Sequence, residues 1–336
     1  MTKLSETGEF GLISRISEYF TKNLKPGVTG IGDDCAIIPL NDTEALLVTT
    51  DMLIEDQHFI KHRIAPFELG YKSLAVNLSD IAAMGGTPEY AFLSMGIPKE
   101  TDIKWLDEFF RGFKDLSDSS DTYLLGGDTT KSDSKLIINI AVIGKANLNK
   151  IKKRSTAKPG DIICVTDLVG DSGGGLKALL NNIPSDEDIK YLIKRHHMPV
   201  PSLHEGKWLA ELPGVHAMID ISDGIESDIH RIMESSNVGA EINLDKIPVS
   251  ETLQRVSGNH KWNTYEIAVG GGEDYCLMLT VENHQFDYIK NNFSIHFGKP
   301  LYGVGKITGN SGTLTFKLKG KKFDLAKHGF DHFKDN

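Results

Sequence analysis

The chain has 336 residues, 40% of them hydrophobic and 25% charged, with a net charge of −9. That length allows two domains, and that composition belongs to a globular protein rather than a disordered or fibrous one. The acidic balance disfavours a nucleic-acid partner, and no apolar run approaches the ~18 residues that a membrane helix needs.

In chain order, strand-like runs fall at residues 45–50, 91–97, 136–143, 161–166, 216–221 and 275–280. Helical periodicity falls between them, at 67–84, 104–116, 172–180, 223–233 and 285–291. The alternation predicts an α/β to α+β class. A polar, basic stretch over 145–153 precedes Lys158-Pro159-Gly160-Asp161, which reads as a turn into a new strand. Two domains are therefore expected, 1–148 and 149–336. The N-terminus has neither the apolar core nor the cleavage site of a secretory signal. Cys35, Cys164 and Cys276 are too scattered for a zinc site and, being odd in number, cannot all pair within the chain, so a reducing cytoplasm is the expected compartment.

The informative segments pair aspartates with Gly, Ser or Thr. They are Gly30-Ile31-Gly32-Asp33-Asp34, Thr49-Thr50-Asp51, Asn77-Leu78-Ser79-Asp80, Gly126-Gly127-Asp128-Thr129-Thr130 and Asp220-Ile221-Ser222-Asp223-Gly224. All but the Asp80 segment are expected at strand ends or in glycine turns. Taken singly, each suits an ordinary turn or helix cap. Together they form an oxygen-only donor set, without His or Cys, which suits Mg²⁺. Ser73, Asn77 and Asp80 share one helix face, the pattern of a site wall or of a plain polar stripe. Ser222 is expected to cap the helix that follows it. Gly170-Asp171-Ser172-Gly173-Gly174-Gly175 suits either a phosphate cradle or a tight strand-to-helix turn. The acidity also implies cations around any phosphorylated ligand. Two like charges 4 Å apart repel by roughly 4 kcal/mol at an effective dielectric of ~20. There is no GxxxxGK[ST] loop, no HRD with a later DFG and no GxSxG elbow, so P-loop, protein-kinase and esterase chemistry are not expected.

The phrases GIGDDCA (30–36), NLSDIAAMGG (77–86), GGDTT (126–130), IDISDG (219–224) and GGEDY (271–275) occur in an order that resembles the thiamine-monophosphate kinase family. That family belongs to the aminoimidazole ribonucleotide synthetase-like superfamily. The resemblance runs from Gly8-Glu9-Phe10 to Gly329-Phe330-Asp331-His332-Phe333. It implies a homodimer built through the N-terminal sheet, with ATP in the cleft between two domains. It also implies that Asp34, Thr49, Thr50, Asp51, Asp80, Asp128, Asp220 and Asp223 hold several Mg²⁺ ions. Gly127, Asp128, Arg154 and Ser222 would contact ATP, and His58, Glu273 and Phe330 would line the thiamine-phosphate pocket. The implied reaction is direct in-line transfer of the γ-phosphoryl of ATP to thiamine monophosphate. The acceptor is itself a phosphate with a second pKa near ~6, so no catalytic general base is expected. Sister synthetases of the same fold, and a nucleotide sensor that has lost catalysis, are the alternative readings. A selenophosphate synthetase would need a reactive residue in its N-terminal loop, and residues 1–34 contain no Cys; a hydrogenase-maturation relative would end in Cys, whereas this chain ends in Asn336.

Overall fold

The computed structural model describes residues 4–325. Helix α1 (Leu4–Phe20) is followed by a five-stranded sheet made of β1 (Ala36–Pro39), β2 (Glu44–Ile54), β3 (Thr87–Pro98), β4 (Tyr123–Ser132) and β5 (Ile137–Asn147). The strand order is β1-β2-β5-β3-β4, antiparallel except for the parallel pair β3 and β4. Helices α2 (Pro66–Ala83) and α3 (Ile103–Ser119) lie between these strands in sequence, and α2 packs on β2 and β5.

The alternation of β2 explains this packing. Ala45, Leu47, Thr49 and Leu53 are buried, whereas Leu46, Val48, Thr50 and Met52 are half-buried or exposed. The two sets point to opposite faces. The first set meets Leu74, Leu78 and Ile81 of α2, all fully buried. Each such side chain contributes about 1.5–3 kcal/mol by leaving water. Helices α2 and α3 approach until backbones nearly touch. A methyl group at Gly70 would lie 1.9 Å from the Phe109 carbonyl oxygen, and one at Gly112 would lie 1.8 Å from that of Phe67. Only glycine permits that crossing.

A second, seven-stranded sheet holds β6 (Ile162–Val165), β7 (Val215–Asp220), β8 (Gly239–Asn243), β9 (Leu277–Val281), β10 (Tyr302–Thr308), β11 (Leu314–Leu318) and β12 (Lys321–Lys322). Its order is β12-β11-β8-β10-β6-β9-β7. Helices α4 (Asp171–Leu180), α5 (Glu187–His197), α6 (Leu203–Ala210), α7 (Ile225–Ser236), α8 (Glu251–His260), α9 (Thr264–Gly270) and α10 (Phe286–Phe297) accompany it. Helix α2 also contacts α5, α6 and β7, so it joins the two halves. Among the described residues no helix is long and apolar enough to cross a membrane.

All six expected strands and five expected helices are present within a few residues of their bounds. Two expectations about the aspartate-bearing segments are corrected. Asp51 and Asp128 do not end strands but lie inside long ones, β2 and β4. Ser222 does not cap α7, whose N-cap is Gly224. The Asp228 carboxylate, on the first turn of α7, accepts from the amides of Ser222 (3.1 Å) and Asp223 (3.2 Å). No side chain caps the helix; Asp228 instead ties down the turn that leads into it, and the Ser222 hydroxyl is not used as a cap.

Candidate active site between the two sheets

A cleft of about 1540 Å³ opens between the halves. Its floor is acidic. Oxygens of Asp34, Asp80 and Asp220 all lie within 4.8 Å of one another. Three elements bring them there: the turn before β1, the end of α2 and the end of β7. Ser79 donates to Asp220 Oδ2 at 2.6 Å, Thr49 donates to Asp80, and Asn77 Oδ1 accepts the Asp51 amide at 3.0 Å. The polar stripe of α2 is therefore a site wall rather than a solvated face. Asp51, Asp223, Ser222, Arg154, His58 and Glu273 line the same cleft.

Like charges this close cannot all persist without a counter-charge. Burial, then Asp34, raises Asp220 to about 7. Burial, then Asp223 and Asp34, raises Asp51 to about 6. Asp80 is pushed well above the carboxylate range by burial and by Asp51, Asp220 and Asp34. Arg154 supplies one positive charge: it pairs with Asp34 and lies 3.9 Å from Asp33. Burial works against its charge, but these carboxylates more than compensate and keep it protonated. One oxygen of Asp34, Oδ2, is buried with no hydrogen-bond partner. An oxygen-only donor set with an orphaned carboxylate oxygen fits a hard divalent cation. Asp223 faces the same cleft but pairs with Arg231.

Three expected residues, Gly127, Asp128 and Thr50, are not brought to this floor within one chain. Asp51, Ile140, Leu93 and Gly127 lie level across β2, β5, β3 and β4. Gly127 and Asp128 are therefore roughly 14 Å from Asp51, at ~4.8 Å per strand. They line a separate hollow of about 410 Å³ on the edge strand, with Leu93, Met95 and Phe110. A side chain at Gly127 would strike the Leu93 carbonyl oxygen at 1.7 Å, and its φ of +152° also favours glycine. Asp128 pairs with Ser94, which is level with Asn139 and Met52. That row shares the outward face with Thr50, whose hydroxyl accepts from Asn139 at 3.0 Å. Thr50 thus points away from Thr49 and Asp51.

Elsewhere along the cleft, His58 Nδ1 accepts the Ile54 amide at 3.0 Å, which leaves Nε2 as the nitrogen that can face a ligand. Glu273 meets Lys72 Nζ at 2.8 Å and His196 Nδ1 at 3.1 Å. Phe330 lies outside the described residues. Sequence reasoning missed Lys72, His196 and Asp228. Lys72 carried a signal, being a lone cation in the small and apolar run Leu74-Ala75-Val76 and its neighbours. The glycine-rich entry to α4 is a turn: Asp274 accepts from the amides of Gly170 (2.6 Å) and Ser172 (3.3 Å), donors that a phosphate would otherwise take.

These two sheets and the acidic floor between them define an AIR synthase related protein. That family's N-terminal domain matches residues 32–146 and its C-terminal domain matches 158–317. Within it, the chain belongs to the thiamine-monophosphate kinase family. It is 37% identical to the thiamine-monophosphate kinase of Escherichia coli K12, covering 97% of this chain and 98% of that one. It is 34% identical to that of Bacillus subtilis 168, covering 97% and 99%. The solved structure of AaThiL complexed with AMPPCP and TMP superposes with a TM-score of 0.86 at 29% identity, over 99% of both chains.

Proposed function

We propose that this chain transfers the γ-phosphoryl group of ATP to the phosphate of thiamine monophosphate, giving thiamine diphosphate. The observation that carries the reading is the convergence of Asp34, Asp80 and Asp220 in a cleft wide enough for two phosphorylated ligands. The relatives' names and the ligands of AaThiL support the same substrates. Asp34, Thr49, Asp51, Asp80 and Asp220 would hold Mg²⁺, with Asp223 beside them. Bound there, Mg²⁺ would screen the repulsion between the two anions and stabilise charge on the transferred group.

The chain's own residues bind and orient. Arg154 offers a permanent cation to phosphate oxygens. Ser222, free of capping duty, keeps its hydroxyl for the nucleotide, while Asp228 fixes the turn that presents it. His58 contributes binding rather than proton transfer, because its Nδ1 is already engaged by Ile54. No side chain needs to act as general base, since the acceptor phosphate is mostly a dianion at neutral pH, its second pKa being near ~6.

The reading includes a homodimer with domains at 1–148 and 149–336. Met52, Tyr123, Leu124 and Leu125 are exposed on the outward face and edge of the first sheet. Contiguous apolar surface of this kind marks an interface. A second copy across it would bring Gly127 and Asp128 to the Thr50 side of its neighbour's site. The test is thiamine diphosphate formation by purified protein with ATP, thiamine monophosphate and Mg²⁺, against an EDTA control. Absence of product, or preference for formylglycinamidine ribonucleotide as acceptor, overturns the proposal.

A further inference from the structure

The GGEDY segment is held in an unusual shape. Glu273 and Tyr275 both have left-handed backbones, with φ of 63° and 51°. For residues with a Cβ this costs on the order of 1–2 kcal/mol each. Such geometry persists only where surrounding contacts fix it. Here they come from several elements. The Glu273 amide donates to the Ser222 carbonyl at 2.7 Å, and the Tyr275 amide donates to the Ile221 carbonyl at 2.9 Å. The Glu273 carboxylate lies against Lys72 of α2 on one oxygen and His196 of α5 on the other, as charge contacts at 2.8 and 3.1 Å, and Lys72 Nζ has no hydrogen-bond partner of its own among the described residues.

Lys72 is the notable partner. Its side chain is 0% exposed, although it sits at the cleft wall. A buried ammonium is costly unless paired, and Glu273, itself a quarter exposed, is its carboxylate partner. His196 does not share the positive charge. Burial, then the Lys72 ammonium, holds its pKa well below the ordinary value, so its ring is neutral. It also sits 3.0 Å from the Ser172 hydroxyl.

We infer that Lys72 is a positioning residue for the phosphate acceptor, clamping Glu273 so that its carboxylate meets the ligand as a fixed, charge-balanced hydrogen-bond acceptor. The inference rests on the proposed function and names a residue of that same site. A charge-balanced acceptor suits the exocyclic amino group of an aminopyrimidine. Lys72 does not touch the acceptor; it acts through Glu273. Because Lys72 belongs to the first half of the chain and Glu273 to the second, the clamp also sets how the halves meet at the acceptor end.

The test compares Lys72→Met, Glu273→Gln and the double variant with wild type, measuring KM for thiamine monophosphate and for ATP separately. Activity of the wild type tests the function itself, so its failure is distinguishable from failure of the clamp. The expected result is a rise of roughly tenfold or more in KM for thiamine monophosphate in each single variant, an ATP KM within about twofold of wild type, and a double variant no worse than the worse single one. An unchanged acceptor KM in Lys72→Met overturns the inference, as does an equal rise for ATP. Multiplying effects in the double variant also overturn it. If Lys72→Met does not fold, the double variant is compared with Glu273→Gln: equal kinetics support the clamp, and a further loss overturns it.

Discussion

The two ends of the cleft solve the problem of buried charge in opposite ways. At the floor, Asp34, Asp51, Asp80 and Asp220 crowd together, with Arg154 as the cation beside them. At the far end, Glu273 meets a lysine and a neutral histidine, and its charge is balanced within the protein. The first arrangement is incomplete without added cations; the second is complete as folded. An end that lacks positive charge suits the reacting phosphates, and an end that is already neutral suits recognition of the rest of the acceptor.

The largest break in this comparison comes at the floor. Asp80→Asn is expected to lower turnover by a factor on the order of 10³, about 4 kcal/mol of transition-state stabilisation at 1.36 kcal/mol per tenfold. Steady-state assays in excess Mg²⁺ check it; turnover within a few-fold of wild type would remove the floor from the chemistry. Asp128→Asn is expected to be nearly as damaging, but through the neighbouring copy. Mixing it with Asp80→Asn and allowing subunits to exchange should restore about a quarter of wild-type activity, since half the dimers would then carry one intact site. No recovery, with exchange shown by mass, would place Asp128 outside a shared site.

Smaller effects sharpen the contrast. Asp228→Asn keeps one oxygen near the Ser222 and Asp223 amides but replaces a carboxyl, whose pKa burial and Asp223 push well above the usual range, with an amide. We expect KM for ATP to rise about three- to tenfold, with the acceptor KM unmoved; the reverse pattern would separate Asp228 from the nucleotide end. The smallest effect is on stability. Asp51 and Asp220 have folded-state pKa values raised to about 6 and about 7, above their unfolded values near ~3.9. The folded state then binds more protons than the unfolded one, so metal-free stability falls as pH rises from about 4 to about 7. Melting temperature without Mg²⁺ should therefore drop across that window by several degrees. Mg²⁺ should restore more at pH 8 than at pH 5, and a flat metal-free profile would contradict the crowding.

Much of this was legible in the sequence because the chemistry sits in contiguous phrases. The helix carrying Asp80, and the stripe Ser73, Asn77 and Asp80 upon it, followed from period alone. The fate of Asp128 did not. Gly126-Gly127-Asp128 reads as a turn, yet it runs through an extended edge strand, because pairing with β3 decides the conformation. The clamp on Glu273 was hidden for another reason. Lys72, His196 and Glu273 come from three distant stretches, and no local pattern announces that their side chains meet. Ser222 looked like a cap because local rules favour it, but the helix starts two residues later at Gly224 with no side-chain cap, and the turn at Ser222 is held by Asp228 instead. Helices α6 and α9, and the short strands β8 and β10 to β12, are defined by packing and pairing in the second half more than by strong periodicity, whereas α5 and α8 carry a clear amphipathic period with Asp186 and Ser250 as caps, a legible signal that sequence reasoning missed.

Helix α2 carries both Lys72 and Asp80, with no glycine or proline between them. At ~1.5 Å of rise per residue, their backbones stand about 12 Å apart along the axis. That helix is therefore a ruler built into the wall. On the proposed function, the gap between the end that would anchor the acceptor and the end that would hold the reacting phosphates is set by helical pitch, which hardly stretches. An acceptor whose phosphate sits on a shorter or longer arm would have to be accommodated by shifting the second half of the chain instead.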